Sequence, residues 1–327
     1  MISTQENYDP WRFGVTAAHE PIKNWAPIAG RWQFPSPAEA VYASPQQQNT
    51  PFGVCVSNVR FSEGDVKVTI KLPKADDGVT AAGSGRILLG YRSVDDHYIT
   101  AGLGGYGYAY NVTQFDRIQG WRGVALAGSH DNLLGEHPYE VFVRARGQRL
   151  TLEVDGVQVL DHVLETPLPQ GQLGLFAWGT DRVEFNNASV RIEPGTAFVV
   201  MQFSDPYQTL YTDVIEPVIK SEPYKLRVYH AGEVYRPGII LEDITTGIVE
   251  AKILIAEITP PNPNVFYELG YAHALKKPTI LLAESERAKD LPFDVSGYRC
   301  LFYENSIGGK NKVVEGLRKH LDAILQQ

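Results

Sequence analysis

Cysteine is nearly absent: Cys55 and Cys300 are the only two in 327 residues, too few for a disulfide framework or a thiolate metal cluster. That usage fits a reducing compartment, and no metal ligand set is assigned. Long apolar runs are missing too, since no segment reaches the roughly 18 residues of a membrane span. The first 24 residues mix polar side chains with Asp9, Pro10 and Trp11 instead of forming an apolar leader. A soluble, cytoplasmic protein with no membrane partner is expected. Basic clusters are lacking as well: the formal net charge is -8, and lysines and arginines are scattered, which speaks against bulk nucleic-acid binding. In such a setting the triplets Asn111-Val-Thr113 and Asn187-Ala-Ser189 carry no glycosylation meaning.

What is present is enough chain, at 43% hydrophobic residues, for two separately buried cores. From about residue 54 to 192 short alternating runs are separated by glycine, proline and aspartate. Val66-Lys-Val-Thr-Ile70, Ile87-Leu-Leu-Gly-Tyr91, Tyr139-Glu-Val-Phe-Val143 and Leu150-Thr-Leu-Glu-Val154 read as strands. Asp155-Gly156, between the last of these and Val157-Gln-Val-Leu160, is a dipeptide that accepts positive φ and predicts a two-residue hairpin. With no helical stretch among the strands, two packed antiparallel sheets are expected rather than a barrel. The tract Gly102-Leu-Gly-Gly-Tyr-Gly-Tyr-Ala-Tyr110 lacks the helix start that a phosphate-cradling loop requires. It reads as one strand with tyrosines on one face and glycines on the other.

Residues 149–160 with Gly171-Gln-Leu-Gly-Leu-Phe-Ala-Trp178 and Val183-Glu-Phe-Asn-Asn-Ala-Ser-Val190 resemble the closing strands of a concanavalin or laminin-G type sandwich. The resemblance spans residues 34–192 and implies a carbohydrate- or protein-binding module. Its glucanase members carry two glutamates bracketing an aspartate. Here Glu153-Val-Asp155-Gly-Val-Gln158 lacks the last acid, and Asp155 is better explained by the turn.

After Arg191-Ile-Glu-Pro-Gly-Thr196 the grammar changes to strands alternating with helices. Strands are predicted at 197–203, 226–230, 253–256, 278–282 and 301–303, with helices at 207–220, 239–251, 265–276 and 312–325. Continuous apolar strands between helices imply an open parallel sheet of the flavodoxin-like kind, covered on both faces. The expected division is therefore a β-sandwich at 1–194 and an α/β domain at 195–327. Ligands of such sheets bind beyond the carboxyl ends of the strands, so the loops after Phe203, His230 and Ala256 are the ones to search.

The helix Asn264-Val-Phe-Tyr-Glu-Leu-Gly-Tyr-Ala-His-Ala-Leu-Lys276 is apolar or aromatic almost all round, and Glu268 is its lone carboxylate. That position costs stability unless the charge is compensated or used. Asn264 is expected to cap the helix and the helix dipole to keep Glu268 ionised. A carboxylate so placed suits a sugar carbon that gains oxocarbenium character, as in N-glycosidic bond cleavage. The competing reading is a structural ion pair with Arg236 or Arg299. His273, about 140° round the helix, reads as a packing residue. Tyr271, one turn from Glu268, is placed to orient it. The loop Tyr235-Arg-Pro-Gly238 reads equally well as a ligand cover and as a plain connection.

Phe198-Val-Val-Met-Gln-Phe203, Ile240-Leu-Glu-Asp-Ile244, the long motif Asn262-Pro-Asn-Val-Phe-Tyr-Glu-Leu-Gly-Tyr-Ala-His-Ala-Leu275 with Lys277-Pro278, and Leu291-Pro-Phe-Asp294 together resemble the nucleoside 2-deoxyribosyltransferase-like group. That group is itself similar to the NAD-cleaving Toll/interleukin-1-receptor (TIR) domains of bacteria. By that resemblance Glu268 matches the catalytic glutamate, Asp243 an acidic position at the substrate rim, and Asn262 and Asn264 the bordering loop. Glu257 stands where many relatives carry aspartate. Gln202, Phe203, His230, Tyr235 and Tyr271 complete the candidate substrate contacts.

NAD, as substrate and not cofactor, is favoured because nicotinamide leaves neutral without an acid. A normal base must be protonated, a task for which Asp243 and Glu257 are the candidates. The resemblance of such fused domains to bacterial antiviral effectors implies a regulated nucleotide N-glycosidase. The alternatives are a deoxyribosyltransferase, and a non-catalytic scaffold whose sandwich binds a glycan or protein. Outward Tyr267 and Tyr271 imply self-association.

Overall fold

The computed structural model describes residues 18–43, 52–179, 182–230, 240–290 and 300–325. Two antiparallel sheets lie face to face in the first part of the chain. An eight-stranded sheet runs through Val157–Val163, Arg149–Val154, Pro138–Arg146, Gly64–Lys71, Val183–Ile192, Glu39–Tyr42 and Trp32–Ser36, with Glu20–Pro21 alongside Val183–Ile192. The seven-stranded sheet runs through Gly120–Ser129, Tyr108–Asp116, Tyr98–Leu103, Ser84–Tyr91, Gly171–Trp178, Phe52–Phe61 and Trp25–Ala29. Alternation along each strand sends one set of side chains inward. Val66, Val68 and Ile70 from one sheet meet Ile87, Leu89, Leu173 and Leu175 from the other in a single core.

Asp155 and Gly156 take φ of 51° and 79° at the tip of the hairpin that pairs Val154 with Val157, as the sequence predicts. The glycine tract differs from expectation. Residues 104–107 all have positive φ and form the turn between Tyr98–Leu103 and Tyr108–Asp116, so the tract is a hairpin end and not one strand. Four consecutive left-handed residues cannot continue a pleat.

Beyond Ile192 the chain enters a five-stranded parallel sheet. Its strands are β1 (Thr196–Val200), β2 (Arg227–His230), β3 (Ile253–Glu257), β4 (Thr279–Glu284) and β5 (Cys300–Tyr303). They lie in the order β2-β1-β3-β4-β5, all parallel, so that the order in which strands are added reverses between β1 and β3. The helices are α1 (207–220), α2 (Ile240–Glu250), α3 (Pro263–Ala274) and α4 (Ile307–Leu325). Strand parity divides the core in two. Ala197, Val199, Ile253 and Ile255 pack against α1 and α4, whereas Phe198, Val200, Leu254 and Ala256 pack against α2 and α3. No helix among the described residues is long and apolar enough to cross a membrane.

A polar seam joins the sandwich to this unit. The Gln148 side-chain amide donates to the carbonyls of Leu164 (3.0 Å), Glu165 (3.2 Å) and Leu275 (2.8 Å), and its backbone N–H donates to Val249 (3.0 Å). Arg149 pairs with Glu250 at 2.9 Å, and the Lys252 ammonium donates to the Ser62 hydroxyl at 3.1 Å. Lys277, buried behind the seam, donates to the carbonyls of Val249 and Ala251.

Candidate functional sites

Asn262, and not Asn264, caps α3. Its side-chain oxygen accepts the Asn264 backbone N–H at 3.0 Å, and Pro263 takes the first helical position, where a missing N–H costs nothing. Asn264 itself is exposed. Val265, Leu269 and Ala272 press onto the sheet, and Glu268 is carried in with them to 8% exposure. No described residue donates a hydrogen bond to its carboxylate or pairs with it, although Arg236 and Arg299 lie outside the described residues. Burial alone pushes its pKa up to about 7, which corrects the expectation that the dipole keeps it ionised. Glu268 is the sixth residue of a helix that begins at Pro263, past the first turn where the dipole acts, so desolvation prevails.

Glu257 faces the other way. Ile253 and Ile255 point to the α1/α4 layer, and parity sends Glu257 after them. There the Tyr303 hydroxyl donates to it at 3.1 Å and the Thr259 N–H at 3.1 Å, with a short bond from the Thr259 hydroxyl besides. Its pKa is raised to about 7, burial outweighing those hydrogen bonds. Glu257 and Glu268 therefore occupy opposite faces of the sheet and are not brought together.

The remaining candidates divide the same way. Asp243 lies half-buried in the first turn of α2, on the Glu268 side. Tyr271 is partly buried against the same core; no hydrogen bond from it to Glu268 is formed, and the chain itself provides the cover it was expected to need. Tyr267 is 53% exposed. On the α1 side Phe203 stacks on the buried His230 ring at 4.2 Å, and Tyr211 stands edge-on to both. The Gln202 amide donates to the Ser204 hydroxyl at 2.9 Å. Tyr235 and its loop, and the 291–294 motif, lie outside the described residues. A cavity of about 500 Å³ opens between α1, α4 and the ends of β4 and β5, bordered by Asp205, Tyr207, Glu284, Tyr303 and Lys310. It lies on the Glu257 side.

Sequence reasoning missed a larger cavity on the sandwich. In Ser84–Tyr91, Ile87 and Leu89 face the core while Arg86 and Leu88 face outward. Outward too is Phe176, in a cluster with Val54, Val56, Tyr91 and Tyr98, against which Phe115 and Trp121 pack. At one end of this face a cavity of about 800 Å³ is walled by Tyr106, Trp121, Phe176 and Trp178, with Ser84, Arg86 and His130 among its polar lining. Trp121 meets Phe176 at 5.0 Å, and Trp178 is 52% exposed. The buried Ser84 hydroxyl and His130 Nδ1 have no hydrogen-bond partner. The signal available in the sequence was the glycine tract, whose turn forms the rim.

No family model matches the chain, and no curated protein matches it. Solved structures with some likeness include a carbohydrate-binding module from Bacillus subtilis, 14% identical, covering 52% of this chain and 96% of its own with a TM-score of 0.42. A β-glucanase from Bacillus licheniformis is 13% identical over 54% of this chain and 97% of its own, at a TM-score of 0.38. A protein of unknown function with a galectin-like fold from Bacillus subtilis is 12% identical over 54% and 96%, at 0.39.

Proposed function

We propose that the chain is a saccharide-binding protein whose recognition site is the aromatic cavity of the sandwich, joined to an α/β unit that it positions. The observation that carries this reading is the pairing, in about 800 Å³, of flat aromatic walls with buried polar atoms that lack partners. Pyranose rings offer apolar faces for stacking and hydroxyls at the edges, so aromatic walls and free hydrogen-bonding atoms suit them together. A native protein seldom leaves buried polar atoms unpaired without a ligand or water to meet them. Calorimetric titration with a panel of oligosaccharides tests the reading. At least one is expected to bind, and Trp121→Ala or Trp178→Ala to weaken it about tenfold, since loss of an aromatic contact is worth on the order of 1 kcal/mol or more. No binding across the panel removes the proposal.

A second reading, N-glycosidic cleavage of NAD or a related nucleotide in residues 195–327, is favoured by one observation. Glu268 is a buried carboxyl without a partner among the described residues, on the helix that follows β3 beside the reversal point of the sheet. A pKa near neutrality suits a group that must exchange roles between carboxylate and acid. Incubation with NAD should release nicotinamide, and Glu268→Gln should slow it by about 10³-fold, within the range for loss of a catalytic carboxyl. Glu257→Gln, in the opposite layer, should cost far less. Equal rates in Glu268→Gln and unaltered protein end this reading.

A further inference from the structure

Arg86 is 4% exposed, lines the sandwich cavity, and has no carboxylate among the described residues within ion-pair reach. Burial pulls its guanidinium down to about 10, which still leaves it charged at neutral pH. Its hydrogen bonds are specific. Nε (3.3 Å) and Nη2 (2.8 Å) donate to the Gly104 carbonyl and Nη1 donates to the Thr113 hydroxyl (3.1 Å). Of the five N–H groups of arginine, one on each terminal nitrogen is then left over. The rim turn is shaped around the group: Gly105, at φ +110°, would place a Cβ 2.0 Å from Nη2. The guanidinium carbon lies 5.5 Å from the centre of the Phe176 ring and 5.9 Å from that of Tyr106.

We propose that this cavity takes an acidic saccharide, a sugar unit whose carboxylate is held by the two spare N–H groups of Arg86. The inference rests on the saccharide reading and names its ligand class. Two N–H groups on neighbouring nitrogens form the fork that matches both oxygens of a carboxylate. A buried charge without a counter-charge is strongly unfavourable, and an anionic ligand supplies what the fold omits. The neighbouring polar atoms fit the rest of a sugar. His130 Nε2 is 2.9 Å from the Ala81 carbonyl, which only accepts, so Nε2 carries the hydrogen and the unpartnered Nδ1 is left to meet a hydroxyl. The Ser84 hydroxyl gives or accepts one more. Asp131, the acid among the lining residues, is exposed and takes the Ser129 hydroxyl at 3.4 Å; it forms no ion pair with Arg86 and is not among the charges that act on the guanidinium.

The test compares oligosaccharides carrying galacturonate, glucuronate or sialic acid with their methyl esters and their neutral or sulfated counterparts, titrated into the full chain. At least one acid is expected to bind about tenfold or more tightly than its ester, the scale of a charge-assisted bidentate contact. Arg86→Met should erase that difference while the ester still binds, and Arg86→Lys should restore part of it. Ser84→Ala should weaken acid and ester alike. Because the acid and ester comparison needs no substitution, a misfolded Arg86→Met leaves the test intact. Equal binding of acid and ester, or tighter binding of the sulfated sugar, overturns the carboxylate assignment while the saccharide reading stands. Failure of every sugar to bind overturns both.

Discussion

Arg86 on the outer face of the sandwich and Glu268 on α3 are both buried ionisable groups with no opposite charge beside them among the described residues, yet they relieve that cost by different routes. Glutamate can take up a proton, and burial moves its pKa to about 7 so that it does. Arginine cannot shed its proton in the physiological range, and the guanidinium stays charged. The first group therefore speaks of pH and the second of a partner from outside. The cavity at Arg86 has room for one.

The largest effect that sharpens this contrast is the pH dependence of stability. Folded Glu268 keeps its proton between 4.5 and about 7, where the unfolded chain has lost it. The native state binds more protons across that window, so unfolding free energy declines as pH rises through it. The decline from this one group is on the order of 3 kcal/mol, and Glu257 adds a slope of the same sign. Urea midpoints between pH 5 and 7.5 should fall, and Glu268→Gln should flatten part of the fall. Arg86 contributes no slope there. Lys277, depressed from 10.5 to about 7, works in the opposite sense at higher pH: the unfolded chain binds the extra proton, so stability climbs between 7 and 10.5. A curve without a minimum near neutrality breaks the comparison.

A smaller effect separates the two glycines that neighbour these groups. Gly105→Ala places a methyl group 2.0 Å from Arg86 Nη2 at a positive φ, and should lower stability by about 2 kcal/mol and displace the guanidinium. Gly270, in α3 next to the Glu268 turn, has nothing within 4 Å of an added Cβ. Gly270→Ala should raise stability by up to about 1 kcal/mol, the helix-propensity difference alone. Thermal melts of the two variants should move in opposite directions.

Much of the frame was legible. Apolar strands such as Ile253–Glu257, alternating with amphipathic helices, announce a parallel sheet because only burial on both faces tolerates them. Asp155-Gly156 announces its turn because few other pairs accept two positive φ angles. Elsewhere local pattern failed for physical reasons. The strands Trp25–Ala29 and Trp32–Ser36 contain Pro27 and Pro35 and take no part in a clean alternation, so the strand pattern is read only from about residue 54 onward. The start of α4 at Ile307 is hidden by Gly308 and Gly309, poor helix formers that the Ser306 hydroxyl offsets by accepting the Gly309 N–H at 3.0 Å.

The candidate site was legible one residue at a time and not as a constellation. Glu268 stands out as a carboxylate in an apolar helix. Its separation from Glu257 depends on which helices cover which face of the sheet, and that is fixed by the crossovers between strands and not by any short motif. Arg86 was invisible for a related reason: only the fold of the 104–107 turn back over Ser84–Tyr91 turns an ordinary strand arginine into an enclosed one.

The amide of Gln148 reaches carbonyls on both sides of the seam, and the neighbouring Gly147 turn sits so close to the end of α2 that an added Cβ would fall 2.4 Å from the Ala251 oxygen. Cutting the chain at the short connection between Ile192 and Thr196 would thus produce two halves with raw surfaces. One would carry a buried glutamate, Glu63, parted from the charges of Lys252 and Arg227, and the other a buried Lys277 parted from Glu63. Dissecting this molecule calls for point changes within the intact chain, because its two parts were shaped against each other.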